Sequence, residues 1–182
     1  MSKSVYIRPL QLADAQVSYQ WRNNPKIWRF TGARPDKYIT PEMEASWIME
    51  VMKRDNERRF AICLAADNRY IGNIYFTDIL KDEAQMHIFI GDTEYWGKRR
   101  AYESICQIFD YGFKILKLNI IYVQINPRNA AAMMLSKLVA FKRIGSSYEA
   151  TKDIVLEKMI FTRSMYRQKH HLSGGKDKAA EK

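Results

Sequence analysis

Apolar positions along this chain recur with two periods, and the switches between them predict the elements. Val5-Tyr6-Ile7-Arg8-Pro9-Leu10 reads as a short first strand, ended at Pro9 because proline has no N–H to pair. Leu12 to Arg22 has helical spacing that turns Leu12, Ala15, Tyr19 and Trp21 inward, and Asn23-Asn24-Pro25 stops it. An aromatic and basic stretch, Trp28-Arg29-Phe30, leads into a loop with Gly32, Pro35 and Asp36. Thr40-Pro41-Glu42-Met43 then supplies a hydroxyl cap, a proline at the first helical position and acids in the first turn. The helix it starts carries Trp47, Ile48, Val51 and Met52.

Arg59 to Ala66 and Tyr70 to Ile79 predict a hairpin turned by Asp67-Asn68-Arg69, with Gly72 marking a bulge or a close backbone approach. Lys81-Asp82-Glu83 turns the chain into a strand at Met86 to Ile90. From Ala101 the apolar residues Ile105, Ile108, Phe109, Phe113 and Leu116 keep a helical period. Ile120 to Ile125 alternates little and is predicted to be an interior strand covered on both faces. Asn129 caps a helix running to Leu138, and Lys142–Glu149 with Ile154–Met165 forms a closing antiparallel pair. The order is one strand, two helices, three strands, helix, strand, helix, two strands. That order is α+β, with a mixed sheet and not a doubly wound one.

Periodicity ends at Gln168. The expectation is therefore one domain over residues 1–167 and a disordered tail over 168–182. A chain of 182 residues is long enough to bury a core, and 47% hydrophobic with 27% charged residues argues against disorder overall. No apolar run reaches the ~18 residues that span a bilayer. The start, MSKSVYIRPL, lacks the apolar stretch of a secretion signal. Cys63 and Cys106 lie in apolar segments without a Cys or His companion at metal spacing, so no metal site is expected. They read as free thiols of a reducing compartment, the cytoplasm. The formal net charge is +10, spread along the chain, with Arg58-Arg59 and Lys98-Arg99-Arg100 the only tight clusters. An anionic small molecule accounts for that charge as well as a nucleic acid or a ribosome does, so neither of the latter is taken as the partner.

The segment from Met86 to Phe141 carries the chemistry. An apolar strand runs into a turn holding Trp96, Gly97, Lys98, Arg99 and Arg100, and a helix follows at once. Free N–H groups and the positive end of a helix dipole converge there, an arrangement suited to a pyrophosphate. A second β-rich run ends in Asn126-Pro127-Arg128-Asn129 at another helix start.

At these residues the chain resembles the GNAT acyl-CoA N-acetyltransferases, in the branch of ribosomal-protein N-terminal and amino-sugar acetyltransferases. IGDTEYWGKRRAYES is similar to that branch's coenzyme A loop, IGD-x-x-YWGKG-x-[AG]-T-E-A. Asn129 to Phe141 is similar to its later helix, N-x-x-A-x-x-L-[YS]-x-K-x-G-F. Two residues depart from the pattern: Arg99 and Ala140 stand where the family has glycine. The resemblance implies a largely antiparallel central sheet flanked by helices, acetyl-CoA as co-substrate, and a primary amine of a small molecule as acceptor. A nucleotide-linked amino sugar is one such acceptor, and a protein N-terminus is the alternative. A GNAT-like domain that binds coenzyme A without catalysis is the rival from another class.

Under this reading Ile88, Phe89 and Ile90 line the thioester arm. Trp96, Gly97, Lys98, Arg99, Arg100 and Ala101 hold the pyrophosphate. Asn129 and Ala132 face the pantetheine. Ser136 matches the position of a thiolate-protonating tyrosine in relatives and can serve as a hydrogen-bond donor or relay. His87 is the first candidate for the base that takes the amine proton, on the opposite strand face from Met86, Ile88 and Ile90. Asp78 and Glu83 are the other two. Arg22, Trp28 and Arg29 are the candidate acceptor residues, because aromatics with arginines stack a ring and pair an anion. The expected assembly is a monomer or a homodimer.

Overall fold

Residues 3–30, 35–150 and 153–174 are described by the structure, a computed structural model, with side chains described to Lys169. Gly32, and the tail beyond Gly174, lie outside the described residues.

Seven strands form one sheet in the order β1-β2-β3-β4-β5-β7-β6. The chain contributes β1 (Val5–Pro9), helices α1 (Ala15–Arg22), α2 (Pro25–Trp28) and α3 (Pro41–Met52), then strands β2 (Arg58–Leu64), β3 (Tyr70–Thr77) and β4 (Glu83–Ile90). Helix α4 (Arg100–Asp110), strand β5 (Ile120–Ile125), helix α5 (Ala130–Val139), strands β6 (Lys142–Glu149) and β7 (Ile154–Thr162) and helix α6 (Arg163–Gly174) complete it. All neighbours are antiparallel except β4 and β5. The predicted α+β class and mixed, largely antiparallel sheet are observed.

The alternating pleat gives the sheet two packed faces. On one, Ile62, Ile74, Phe76, Met86 and Ile121 pack with Ile105, Ile108 and Phe109 of α4 and Val139 of α5. On the other, Ala61, Cys63 and Tyr70 pack with Trp21 of α1 and Ile48 of α3. Burying each large side chain of this kind contributes about 1.5–3 kcal/mol.

Local signals act as their chemistry requires. Thr40 Oγ1 accepts from the Met43 amide at the start of α3, and Asn24 Oδ1 accepts from Lys26 N, so the chain restarts as α2 where the predicted stop lies. Gly72 sits where a Cβ would overlap the backbone of Phe89, the predicted close approach.

Five readings need correction. Leu12 lies in a 3-10 turn ahead of α1 and is 47% exposed, and Met52, at the end of α3, is 57% exposed; neither is inward. Strand β5 is interior in the sheet order but fully buries only alternate residues, Ile121 and Val123, and its second half, Val123 to Ile125, borders a cavity. The closing strand stops at Thr162. The backbone continues as helix to Gly174, past the predicted end of periodicity at Gln168.

Candidate active site

Strands β4 and β5 pair only at Glu83↔Ile120, Ala84↔Ile121 and Gln85↔Tyr122. Both continue, but no strand pairs with that edge of β4 beyond Gln85 among the described residues. The backbone groups of Met86 to Phe89 on that edge are therefore open to an extended ligand, which can pair with them as a strand would. A cavity of about 590 Å³ lies at this split. Gln85 to Phe89 of β4, Val123 to Ile125 of β5 and Asn129, Ala132 and Ser136 of the α5 region line it. Ile88 and Phe89 thus border the cavity, whereas Ile90 lies past it toward the next loop.

That loop is the predicted anion turn. Gly97, Lys98 and Arg99 all have positive φ, at 81°, 47° and 61°. For a residue with a Cβ this left-handed conformation costs roughly 1–2 kcal/mol, so two side-chain-bearing residues hold a strained turn. Among the described residues the N–H groups of Gly97, Lys98 and Arg99 have no acceptor, and α4 starts at Arg100 without a side-chain cap. Three amides without acceptors and the exposed residues Lys98 and Arg99 thus lie at the N-terminus of α4, the positive end of its dipole. The loop is anchored to β4 by Trp96, whose Nε1 donates to the Ile90 carbonyl at 2.8 Å. Arg100 is turned inward instead: its Nη1 donates to the Tyr95 carbonyl at 3.2 Å. Ala101, half-buried, follows in the first turn of α4.

On α5, Asn129 Oδ1 accepts from Ala132 N at 3.1 Å, the helix cap. Its Nδ2 has no acceptor among the described residues and Asn129 lines the cavity, so cap and ligand donor are compatible roles. Ser136 is 4% exposed, and its hydroxyl donates to the Met133 carbonyl at 2.8 Å. In this arrangement its proton is committed to the helix, and it offers the cavity an acceptor.

The opposite wall is a stack of alternating cations and rings. Arg22 lies over Trp28 at 5.1 Å and over Trp47 at 4.9 Å; Arg59 lies over Trp47 at 4.9 Å and over Tyr75 at 4.1 Å. Tyr75 stacks on His87 at 4.8 Å. Sheet register builds half of it, since Arg59↔Tyr75 and Tyr75↔His87 are cross-strand neighbours on one face. Trp28 is fixed by its Nε1, which donates to the Trp21 carbonyl at 2.8 Å. Arg22 and Trp28, two of the candidate acceptor residues, are therefore brought together in the cavity wall. Arg29 is not: it is exposed, lies over Phe30 and does not line the cavity.

His87 is the candidate base that the structure places in the cavity. Burial, and then the charge of Arg59, push its pKa down to about 4, so the ring is neutral near pH 7. Its Nε2 is 2.8 Å from Thr77 Oγ1, which lies 3.3 Å from Asp78 Oδ2. If the hydroxyl proton is assigned to Asp78, Thr77 accepts from Nε2–H and the His87 lone pair sits on Nδ1. Asp78 thus reaches the ring through a hydroxyl, from an exposed position outside the cavity. Glu83, at the paired start of β4, is outside it as well.

Sequence reasoning missed Ser18, Glu44, Trp47, Arg59 and Tyr75. Glu44 is 3% exposed, accepts from Ser18 Oγ at 2.8 Å and has its pKa raised by burial, against the pull of Ser18, Arg22 and Arg59. Its signal was its spacing, since Glu44, Ile48 and Val51 share one helical stripe.

A strand split open beside a cavity, ending in an amide-lined basic loop, is the frame of an acyl-coenzyme A enzyme. Residues 4–142 match the acetyltransferase (GNAT) domain, and the chain belongs to this family. It is 32% identical over 158 residues to the probable N-acetyltransferase YjcK of Bacillus subtilis, covering 82% of this chain and 87% of that one. With the spermidine N(1)-acetyltransferase of Escherichia coli K12 it shares 28% identity over 141 residues, 76% of this chain and 73% of that one. The fold of the spermidine N-acetyltransferase of Vibrio cholerae, solved with CoA and spermine, superimposes with a TM-score of 0.79 at 24% identity, covering 90% of this chain and 98% of the other. The protein is an acetyl-CoA-dependent N-acetyltransferase of the GNAT type. The free amides of Gly97 to Arg99 and the open edge of β4 fit the co-substrate's pyrophosphate and its amide-bearing arm. Among the described residues no helix is long and apolar enough to cross a membrane.

Proposed function

We propose that the enzyme acetylates a primary amine of a small molecule that enters the cavity between the α1–α3 wall and the split strands. Acetyl-CoA supplies the activated acyl group, as a thioester. The amine attacks it directly: an N–C bond forms, the C–S bond breaks, and the amine proton leaves. No covalent acyl-enzyme is required, because both substrates bind at once.

The observation that carries this reading is the unpaired edge of β4 from Met86 to Phe89 facing the cavity. Amides on that edge are preorganised donors for the oxygen that gains charge as the amine attacks. Neutral His87 takes the amine proton on Nδ1, directly or through one water, with Thr77 and Asp78 fixing its tautomer. Lys98, Arg99 and the loop amides neutralise the pyrophosphate, and Asn129 Nδ2 donates to the arm.

Phosphorylated amino sugars fit the aromatic and cationic wall, and Cys63 and Cys106, both free thiols, are consistent with the cytoplasm. Release of free thiol from acetyl-CoA on adding a panel of primary amines tests the reading. Amine-dependent, saturable release is expected. Hydrolysis at the same rate with and without amine would remove it.

A further inference from the structure

The guanidinium of Arg22 is the least satisfied charge in the cavity. Its nearest carboxylate oxygen, Glu44 Oε2, lies 3.5 Å from Nε, and both atoms are buried without a hydrogen-bond partner. Among the described residues no N–H of Arg22 reaches an acceptor, although its side chain is only 29% exposed. Its peers differ. Arg8 grips Asp14 with both Nη atoms, Arg163 caps the Leu118 carbonyl through two donors, and Arg59 holds Glu57 through Nε and Nη2. The buried Nε is costly to leave without a partner, and the two Nη groups, which reach the open space of the cavity, have no protein acceptor among the described residues and offer their fork of donors to a ligand.

Its surroundings suit that ligand. Trp28 and Trp47 engage the guanidinium through ring faces, which leaves the N–H groups at its edge. Glu44 offsets part of the charge, but burial raises its pKa and Ser18 already donates to its other oxygen. Glu149 also borders the cavity. Arg59, held from behind by Glu57, adds a second cation in the same stack.

We infer that the acceptor carries a carboxylate or phosphate in addition to its amine, and that Arg22 holds that anion. This rests on the acetyltransferase reading above. It also sets the chain apart from polyamine acceptors: a polycation would meet the fork of Arg22 and the charge of Arg59 with like charge.

The test compares acceptors matched in length, β-alanine and O-phosphoethanolamine against propylamine, with spermidine as the polycation, by thiol release from acetyl-CoA. The wild-type enzyme is expected to favour the anionic pair, and the preferred member of the two separates carboxylate from phosphate. In Arg22→Gln the kcat/KM ratio of the preferred anionic acceptor to propylamine is expected to fall about 30-fold or more, with partial recovery in Arg22→Lys. Preference for spermidine or propylamine in the wild type, or a ratio unmoved by Arg22→Gln, overturns the inference.

A binding measurement separates it from the parent reading. Propionate and methyl phosphate are titrated into wild-type protein saturated with CoA, following tryptophan fluorescence from Trp28 and Trp47. Saturable quenching that Arg22→Gln abolishes supports the anion site even if no amine turns over. Absence of quenching in the wild type removes it even if amines do.

Discussion

The imidazole of His87 lies flat against the phenol ring of Tyr75, 4.8 Å between centroids and 13° between planes. Arg59 sits on the other side of the pairing, 4.1 Å from the Tyr75 centroid. Burial of the ring first, and then this cation one ring away, explain why His87 stays neutral to about pH 4.

That depression sets a stability slope with a definite sign. The folded pKa is about 4 against 6.5 for the free side chain, so the unfolded chain binds more protons between those values. His87 therefore costs nothing above pH 6.5 and destabilises progressively as pH falls to 4, by about 3 kcal/mol in total. Glu44, raised by burial, acts in the opposite sense over its own window, losing stability as pH rises. Urea unfolding at pH 7.5 and 4.5 should show His87→Gln losing less stability on acidification than wild type. Equal losses would contradict the assigned burial of the ring.

Ala140 closes α5 in the left-handed region, at φ 74° and ψ 36°. A Cβ there is strained, and glycine is the residue suited to such a cap. Ala140→Gly should raise stability by about 1 kcal/mol in urea titrations, with unchanged activity.

Gly91 joins β4 to the basic loop ahead of α4, where a Cβ would overlap the indole of Trp21. Trp21 is buried and packed on Tyr70 at 4.6 Å, so it has little room to yield. Gly91→Ala should cost about 1–3 kcal/mol by thermal unfolding and weaken acetyl-CoA binding together with stability.

Asn129 separates two roles by substitution. Asn129→Asp keeps the oxygen that caps α5 and removes the Nδ2 donor, so stability should hold while KM for acetyl-CoA rises. Asn129→Ala should lose both, with about 1 kcal/mol of stability. Identical behaviour of the two variants would leave Asn129 as a cap alone.

Legibility in the sequence followed locality. IGDTEYWGKRRAYES could be read as strand, turn and helix because Gly91, Gly97 and the cations sit within one short segment. The strain at Lys98 and Arg99 could not, since nothing in a lysine or an arginine announces a left-handed backbone. Asn129 was readable as a cap from its place before an apolar helix. The wall of Arg22, Trp28, Trp47, Arg59, Tyr75 and His87 draws on three helices and three strands, so only its helical end, Arg22 and Trp28, stood out. Arg59 and Tyr75 were within reach through hairpin register, whereas Trp47 depended on how α3 docks. Leu12 and Met52 went wrong at helix ends, where an apolar residue turns outward without disturbing the pattern.

In the proposed enzyme the loop after β4 holds acetyl-CoA and presents it along the open strand edge. Calorimetric titration of acetyl-CoA into wild-type protein and Arg99→Glu, at low and moderate salt, is the experiment to make first. One saturable site per chain is expected at both salts, weakened about tenfold or more by the charge reversal, roughly 1.4 kcal/mol. No binding by the wild type at either salt, or binding indifferent to Arg99→Glu, would contradict it.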